Sequence, residues 1–134
     1  MIDRFSHSVV FVSDQDVAKD FYVNKLGLEL MFDRDLGAFR WLTVSARGQR
    51  DLQLVLMPVL PGSNEMVKEC LRDGLMPTGV FQTDDCDGTY EELLQKGVKF
   101  VQPPTERFFG MEATLEDPFG NRFNLTGPKR SEFK

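Results

Sequence analysis

His7 is the only histidine in this chain of 134 residues, so any imidazole chemistry starts there. A histidine can act as a general base near neutral pH, ligate a metal, or orient a bound molecule. The sequence offers His7 no evident carboxylate partner. That favours an orienting role over proton transfer. Phe39 and Trp41 fall on one side of a strand-like stretch, where they would stack on a flat ligand or fill a core. Arg40 and Arg107 are the guanidinium types that recognise anions. Arg40 sits on the strand face opposite Trp41, which points to a solvated or interface role. Cys86 lies near a helix start, where the helix dipole lowers a thiol pKa. It has no histidine beside it, and a structural role fits better. Phe21 and Tyr22 read as helix-stripe core residues, Asp117 and Asn121 as turn formers. No Ser/His/Asp set, phosphate loop or nucleic-acid motif is present.

The elements that position these residues come as two copies of one pattern. His7-Ser8-Val9-Val10-Phe11-Val12-Ser13-Asp14 reads as a strand running into a helix cap, followed by a helical stretch to Gly27. Thr78-Gly79-Val80-Phe81-Gln82-Thr83-Asp84-Asp85 repeats it, followed by a helix to Gly97. Leu52-Gln53-Leu54 ends the first copy and Phe123-Asn124-Leu125 the second. A repeat of this size means two small units built alike around one core. Glu112 aligns with Trp41 across the copies, so it is either a cleft-facing or a surface carboxylate.

In more detail, strands are expected at Phe5 to Val12, Leu28 to Phe32, Phe39 to Ser45 and Leu52 to Met57. Val17, Phe21, Tyr22 and Leu26 form the apolar stripe of the first helix. A short helix spans Asn64 to Leu71, capped by Asn64 or Ser63, with Gly74 beyond its end. The second copy brings Gly79 to Thr83 as a strand, and Asp85 to Lys96 as a helix with Tyr90, Leu93 and Leu94 inward. Val98 to Val101, Gly110 to Leu115 and Arg122 to Thr126 follow as strands. Gln102-Pro103-Pro104-Thr105 reads as a stiff extended loop, and Asp117-Pro118-Phe119-Gly120-Asn121 as a turn. The fold class is therefore α+β: tandem βαβββ modules, each a curved sheet backed by a helix, around a shared cleft. One domain covers 1–134, with modules about 1–58 and 76–128 and a linker at 59–75.

Composition narrows the function classes. The chain is 41% hydrophobic with 12 Phe, enough for a core without disulfides or structural metal. Its net charge of −5 argues against phosphate-backbone binding, so no nucleic-acid partner is expected. No apolar run reaches membrane-spanning length. Cys70 and Cys86 lack CxxC spacing, and the opening residues lead straight into a strand without a signal-peptide pattern. A cytoplasmic location with free thiols is the expectation.

The segments Val10-Phe11-Val12-Ser13-Asp14-Gln15-Asp16, Phe21-Tyr22-Val23-Asn24-Lys25-Leu26-Gly27 and Asp117-Pro118-Phe119-Gly120-Asn121-Arg122-Phe123 resemble the vicinal oxygen chelate superfamily. That group holds glyoxalase I, extradiol dioxygenases, fosfomycin-resistance transferases and bleomycin-binding proteins. The likeness runs from about Phe5 to Pro128 and implies the paired βαβββ fold and a homodimer. Its metal-using members take ligands from the first and last strand of each unit, and the matching residues here are His7, Gln53, Thr78 and Asn124. A divalent ion wants imidazole nitrogen and carboxylate oxygen. This set supplies one imidazole, two neutral amides and a hydroxyl, which leaves the charge of a dication uncompensated.

The leading reading is thus a small-molecule-binding protein of the glyoxalase/bleomycin-resistance type with a degraded metal site and no cofactor. Its ligand pocket would use His7, Gln53, Thr78, Asn124, Trp41, Phe39 and Glu112. Its ligand would be apolar or aromatic with a polar handle. The first alternative is a lyase or dioxygenase dependent on a divalent metal (Zn, Ni, Mn or Fe), with His7 and Glu112 as ligands and the ion acting as a Lewis acid. The second is a catalytically inert dimerisation module.

Overall fold

Each half of the chain builds a four-stranded sheet in which the first strand pairs in parallel with the last. The computed structural model describes residues 1–37, 39–59, 65–73 and 76–130. It divides into two compact units, Met1–Glu69 and Cys70–Lys134.

In the first unit, β1 (His7–Val12) leads into α1 (Gln15–Lys19), then β2 (Glu29–Asp35), β3 (Arg40–Ser45) and β4 (Gln53–Pro58). The sheet order is β1-β4-β3-β2. The β1/β4 register sets His7 against Gln53 and Val9 against Val55. Asp14 caps α1, its carboxylate accepting from the backbone N–H groups of Asp16 and Val17. A side-chain acceptor at that place satisfies donors that the first helical turn leaves open. The helix then widens into a π-type segment, Asp20–Lys25, whose wider hydrogen-bond spacing is shown by Leu26 N–H donating to Phe21 C=O at 2.9 Å. Gly27, at φ +76°, supplies the left-handed residue that ends it. The widening turns Phe21 and Tyr22 inward together, with ring centroids 5.0 Å apart. Ala18 is fully buried and Val17 is 44% exposed, so the expected stripe loses Val17. The core behind the sheet holds Val10, Val12, Leu42, Val44 and Leu56. Gln15 closes one end. Its Nε2 donates to the carbonyls of Arg40 and Leu56 at 2.7 and 3.0 Å.

α2 (Glu65–Arg72) carries the division between the units, which falls after Glu69. The caps expected for this helix at Ser63 or Asn64, and Gly74 beyond it, lie outside the described residues. The second unit continues with β5 (Met76–Gln82), α3 (Cys86–Gln95), β6 (Lys99–Arg107), β7 (Gly110–Glu116) and β8 (Asn121–Gly127). Its sheet order, β5-β8-β7-β6, repeats the first. Asp85 caps α3, accepting from Gly88 N–H at 3.0 Å. Leu93 is buried and Leu94 is 40% exposed, so the expected inward set keeps Leu93 and loses Leu94. Cys86, Met111, Ala113 and Leu125 form the core, with Phe81 and Phe100 packed on it.

Two expectations change here. β1 begins at His7, and Phe5 before it is 73% exposed. The stretch Gln102 to Thr105, expected as a loop, lies inside β6. β6 is the sheet's edge strand, where proline's missing N–H need not break a ladder. Register shifts between Phe100 and Thr105 absorb Pro103 and Pro104.

The Asp117–Asn121 turn is a buried polar knot. Asp117 Oδ1 accepts from Phe119 N–H at 2.9 Å and Asn121 N–H at 2.8 Å, and Oδ2 accepts from Asn121 Nδ2 at 2.8 Å. Gly120, at φ +101°, is required there, since a Cβ would stand 1.9 Å from the Leu71 carbonyl oxygen.

Candidate functional site

On the sheet of the first unit, the side chains that share a face with His7 are set by the strand register. His7 and Gln53 are paired neighbours on β1 and β4. The imidazole lies 6.0 Å from the Trp41 ring, tilted by 51°. His7 Nδ1 meets Ser6 Oγ at 2.9 Å. Thr43, two residues beyond Trp41 on β3, is fully buried and donates its hydroxyl to Gln53 Oε1 at 2.7 Å. Four side chains thus come together: His7, Trp41, Thr43 and Gln53. Phe39 is half-buried just before β3, its carbonyl accepting from Leu36 N–H at 2.9 Å.

The second unit repeats part of this arrangement. Thr114 on β7 donates to Asn124 Oδ1 on β8 at 2.9 Å. Glu112 and Glu116 lie two residues either side of Thr114 and share its face. Glu112 pairs with Arg107 at 3.5 Å, and Glu116 with Arg122 at 3.0 Å and Lys99 at 3.3 Å. The strand neighbour of Asn124 on β5 is Val80, 63% exposed. Thr78 sits at a register shift between Pro77 and Gly79, and its hydroxyl donates to Asn121 Oδ1 at 3.3 Å. The structure therefore brings His7, Gln53 and Trp41 together but does not place Thr78 next to Asn124.

Thr43 and Thr114 were not picked out by sequence reasoning. A signal existed, since each threonine stands ten residues before the amide it binds, at matching places in the two copies.

Charge elsewhere is held in local pairs. Arg40, read from sequence as solvated or interfacial, binds Asp33 through Nη2 at 2.9 Å and also pairs with Asp16. Lys19 reaches the same Asp33 at 2.9 Å. Hydrogen bonds from Arg40, then from Lys19, hold the Asp33 carboxyl well below the usual carboxylate range. Arg40 is thus a tie between β3, β2 and α1. Cys86 behaves opposite to the dipole expectation. Burial, with Asp87 and Asp85 adding, pushes its thiol up, and its Sγ faces the Leu125 carbonyl at 3.7 Å. Among the described residues, no three or more His, Cys, Asp or Glu side chains gather as a metal cluster. No described helix is long and apolar enough to cross a membrane.

Residues 4–125 match the Glyoxalase/Bleomycin resistance protein/Dioxygenase superfamily. The chain belongs to this superfamily. The uncharacterized protein YurT of Bacillus subtilis (strain 168) is 38% identical over 87% of this chain and 92% of its own. Among solved structures, UcmS2 superposes with a TM-score of 0.88 at 39% identity, over 94% of this chain and 98% of that one. TnmS3, an antibiotic-binding protein from Streptomyces sp. CB03234, follows at 0.79 and 33% identity, over 96% and 98%.

Proposed function

We propose that this protein binds a small molecule without a resident divalent ion, as a binding protein of the antibiotic-resistance kind. The observation that carries the reading is the pair of threonine-to-amide hydrogen bonds. The matching metal-ligand positions hold neutral Gln53 and Asn124, and their amide oxygens accept hydrogen bonds from Thr43 and Thr114. Of the resemblance-derived set, His7 alone offers a nitrogen ligand, and none of the four carries negative charge. Glu112, the carboxylate that would repair the set, is neutralised by Arg107. These donors do not suit a dication, which needs anionic oxygen or imidazole around it. The similarity to TnmS3 supports a ligand-holding rather than a chemical task. The ligand is apolar or aromatic with a polar handle, Trp41 and His7 form part of its floor, and the working form is a homodimer.

Metal analysis of the purified protein beside His7→Ala tests this. Sub-stoichiometric metal in both is expected. One tightly held Zn²⁺, Ni²⁺, Mn²⁺ or Fe²⁺ per chain, lost in His7→Ala, overturns the reading. A thermal-shift screen of aromatic antibiotics then seeks the ligand, because binding to the native state alone raises the midpoint.

A further inference from the structure

We propose that Thr43 and Thr114 are positioning residues that turn Gln53 and Asn124, each on its own sheet, into hydrogen-bond donors, so that a ligand on the Trp41 face is a ring system bearing acceptors. Carbonyl, phenolate and carboxylate groups qualify. The inference rests on the small-molecule reading above and names the chemistry its ligand must carry.

A primary amide has a carbonyl acceptor at one end and two N–H donors at the other. Which end meets a ligand depends on what holds the opposite end. Thr43 is fully buried, so its hydroxyl proton needs an acceptor inside the protein. Among the described residues that acceptor is Gln53 Oε1, at 2.7 Å. The amide oxygen of the half-buried Gln53 is thereby held by Thr43, and Nε2 is left outside that bond. Among the described residues Nε2 has no hydrogen-bond partner. In the second unit, Thr114 holds Asn124 Oδ1 in the same manner, and Asn124 Nδ2 is likewise unengaged among the described residues. Where a cation would need oxygen, each unit presents N–H.

The first unit adds an aromatic side chain on the same face. The Trp41 ring, with the imidazole of His7 beside it, suits an aromatic ring system. An acceptor on that ring would reach Gln53 Nε2, held by the same strand pair that holds His7.

Naphthoate and naphthylmethylammonium share a ring and differ in the sign of the polar handle. Trp41 is the only tryptophan, so quenching of its fluorescence reports binding at this face. Naphthoate is expected to bind about tenfold more tightly than the ammonium, the worth of one hydrogen bond to a charged acceptor. The protein's net charge of −5 opposes that preference, which makes the test stringent. Thr43→Val frees the amide to turn and should shrink the preference toward parity, while Thr43→Ser keeps it. In isotope-labelled wild-type protein, naphthoate should shift the Gln53 side-chain NH₂ resonances, a readout that needs no variant to fold. Equal binding of the two probes, or unmoved Gln53 NH₂ resonances, overturns the amide orientation and leaves the binding reading standing. Failure of both probes to quench Trp41 removes the binding face itself, and the inference with it.

Discussion

Replacing Asp117 by alanine should cost this protein a large part of its stability, and replacing it by asparagine should cost less. The carboxylate accepts three hydrogen bonds in the turn, two of them from Asn121, which is 1% exposed. Alanine takes the Asp117 oxygens away from both buried Asn121 donors. At about 1–3 kcal/mol for each buried group stranded in this way, the loss is about 4 kcal/mol. The half-exposed Phe119 N–H can turn to water and adds little. Asparagine keeps one carbonyl for the two backbone donors and forfeits the charge and the Asn121 Nδ2 contact, a loss of about 2–3 kcal/mol. Against a typical total of about 5–15 kcal/mol, the alanine variant would be marginal. Urea unfolding of the three proteins, followed by circular dichroism, reads both numbers. If the alanine variant loses less than about 1 kcal/mol, or matches the asparagine variant, the turn is not the anchor described here.

Three other outcomes are expected. Gly120→Ala should destabilise by on the order of 3 kcal/mol in the same assay, because its Cβ meets a backbone oxygen and its φ is left-handed. Asp33 has a folded-state pKa below its unfolded value, so its contribution is present above the ordinary carboxylate range and fades as pH falls toward the folded value. Arg40→Met should therefore flatten the loss of stability between neutral and acidic pH, measured by thermal melts across that range. Iodoacetamide should label half-buried Cys70 ahead of buried Cys86, whose thiol is held protonated, with peptide mapping to read the order.

Much of the architecture was legible because the sequence repeats it. The caps at Asp14 and Asp85, the stop at Gly27 and the knot at Asp117 to Asn121 are local signals with local causes, and the structure uses each one. The family resemblance implies that His7 and Gln53 share the inward face of the first unit, and the β1/β4 register sets them side by side. Thr78 did not follow in the same way. Alternation counted back from the Asp85 cap puts Thr78 where His7 stands, but the register shift at Pro77–Gly79 breaks the count and leaves Val80 beside Asn124. Pro77 and Gly79 are the residue types that mark such irregularities, yet they do not say how far the register moves. Val17 and the Pro103-Pro104 pair differ from the sequence expectation for a related reason. Their positions depend on a π-type widening and on being at a sheet edge, and both are set by tertiary context rather than by local preference.

The proline pair in β6 has an outcome beyond the native fold. An exposed outer strand is a template on which a stranger's strand can zip, and every proline is a missing tooth in that zipper. Successive N–H groups of a strand point to opposite sides, so one of the two prolines withdraws a donor from the outer border and makes β6 a poorer template for a stranger's strand. Replacing Pro103 and Pro104 with threonines, good strand formers that restore the N–H groups, would trade that protection for a neater ladder.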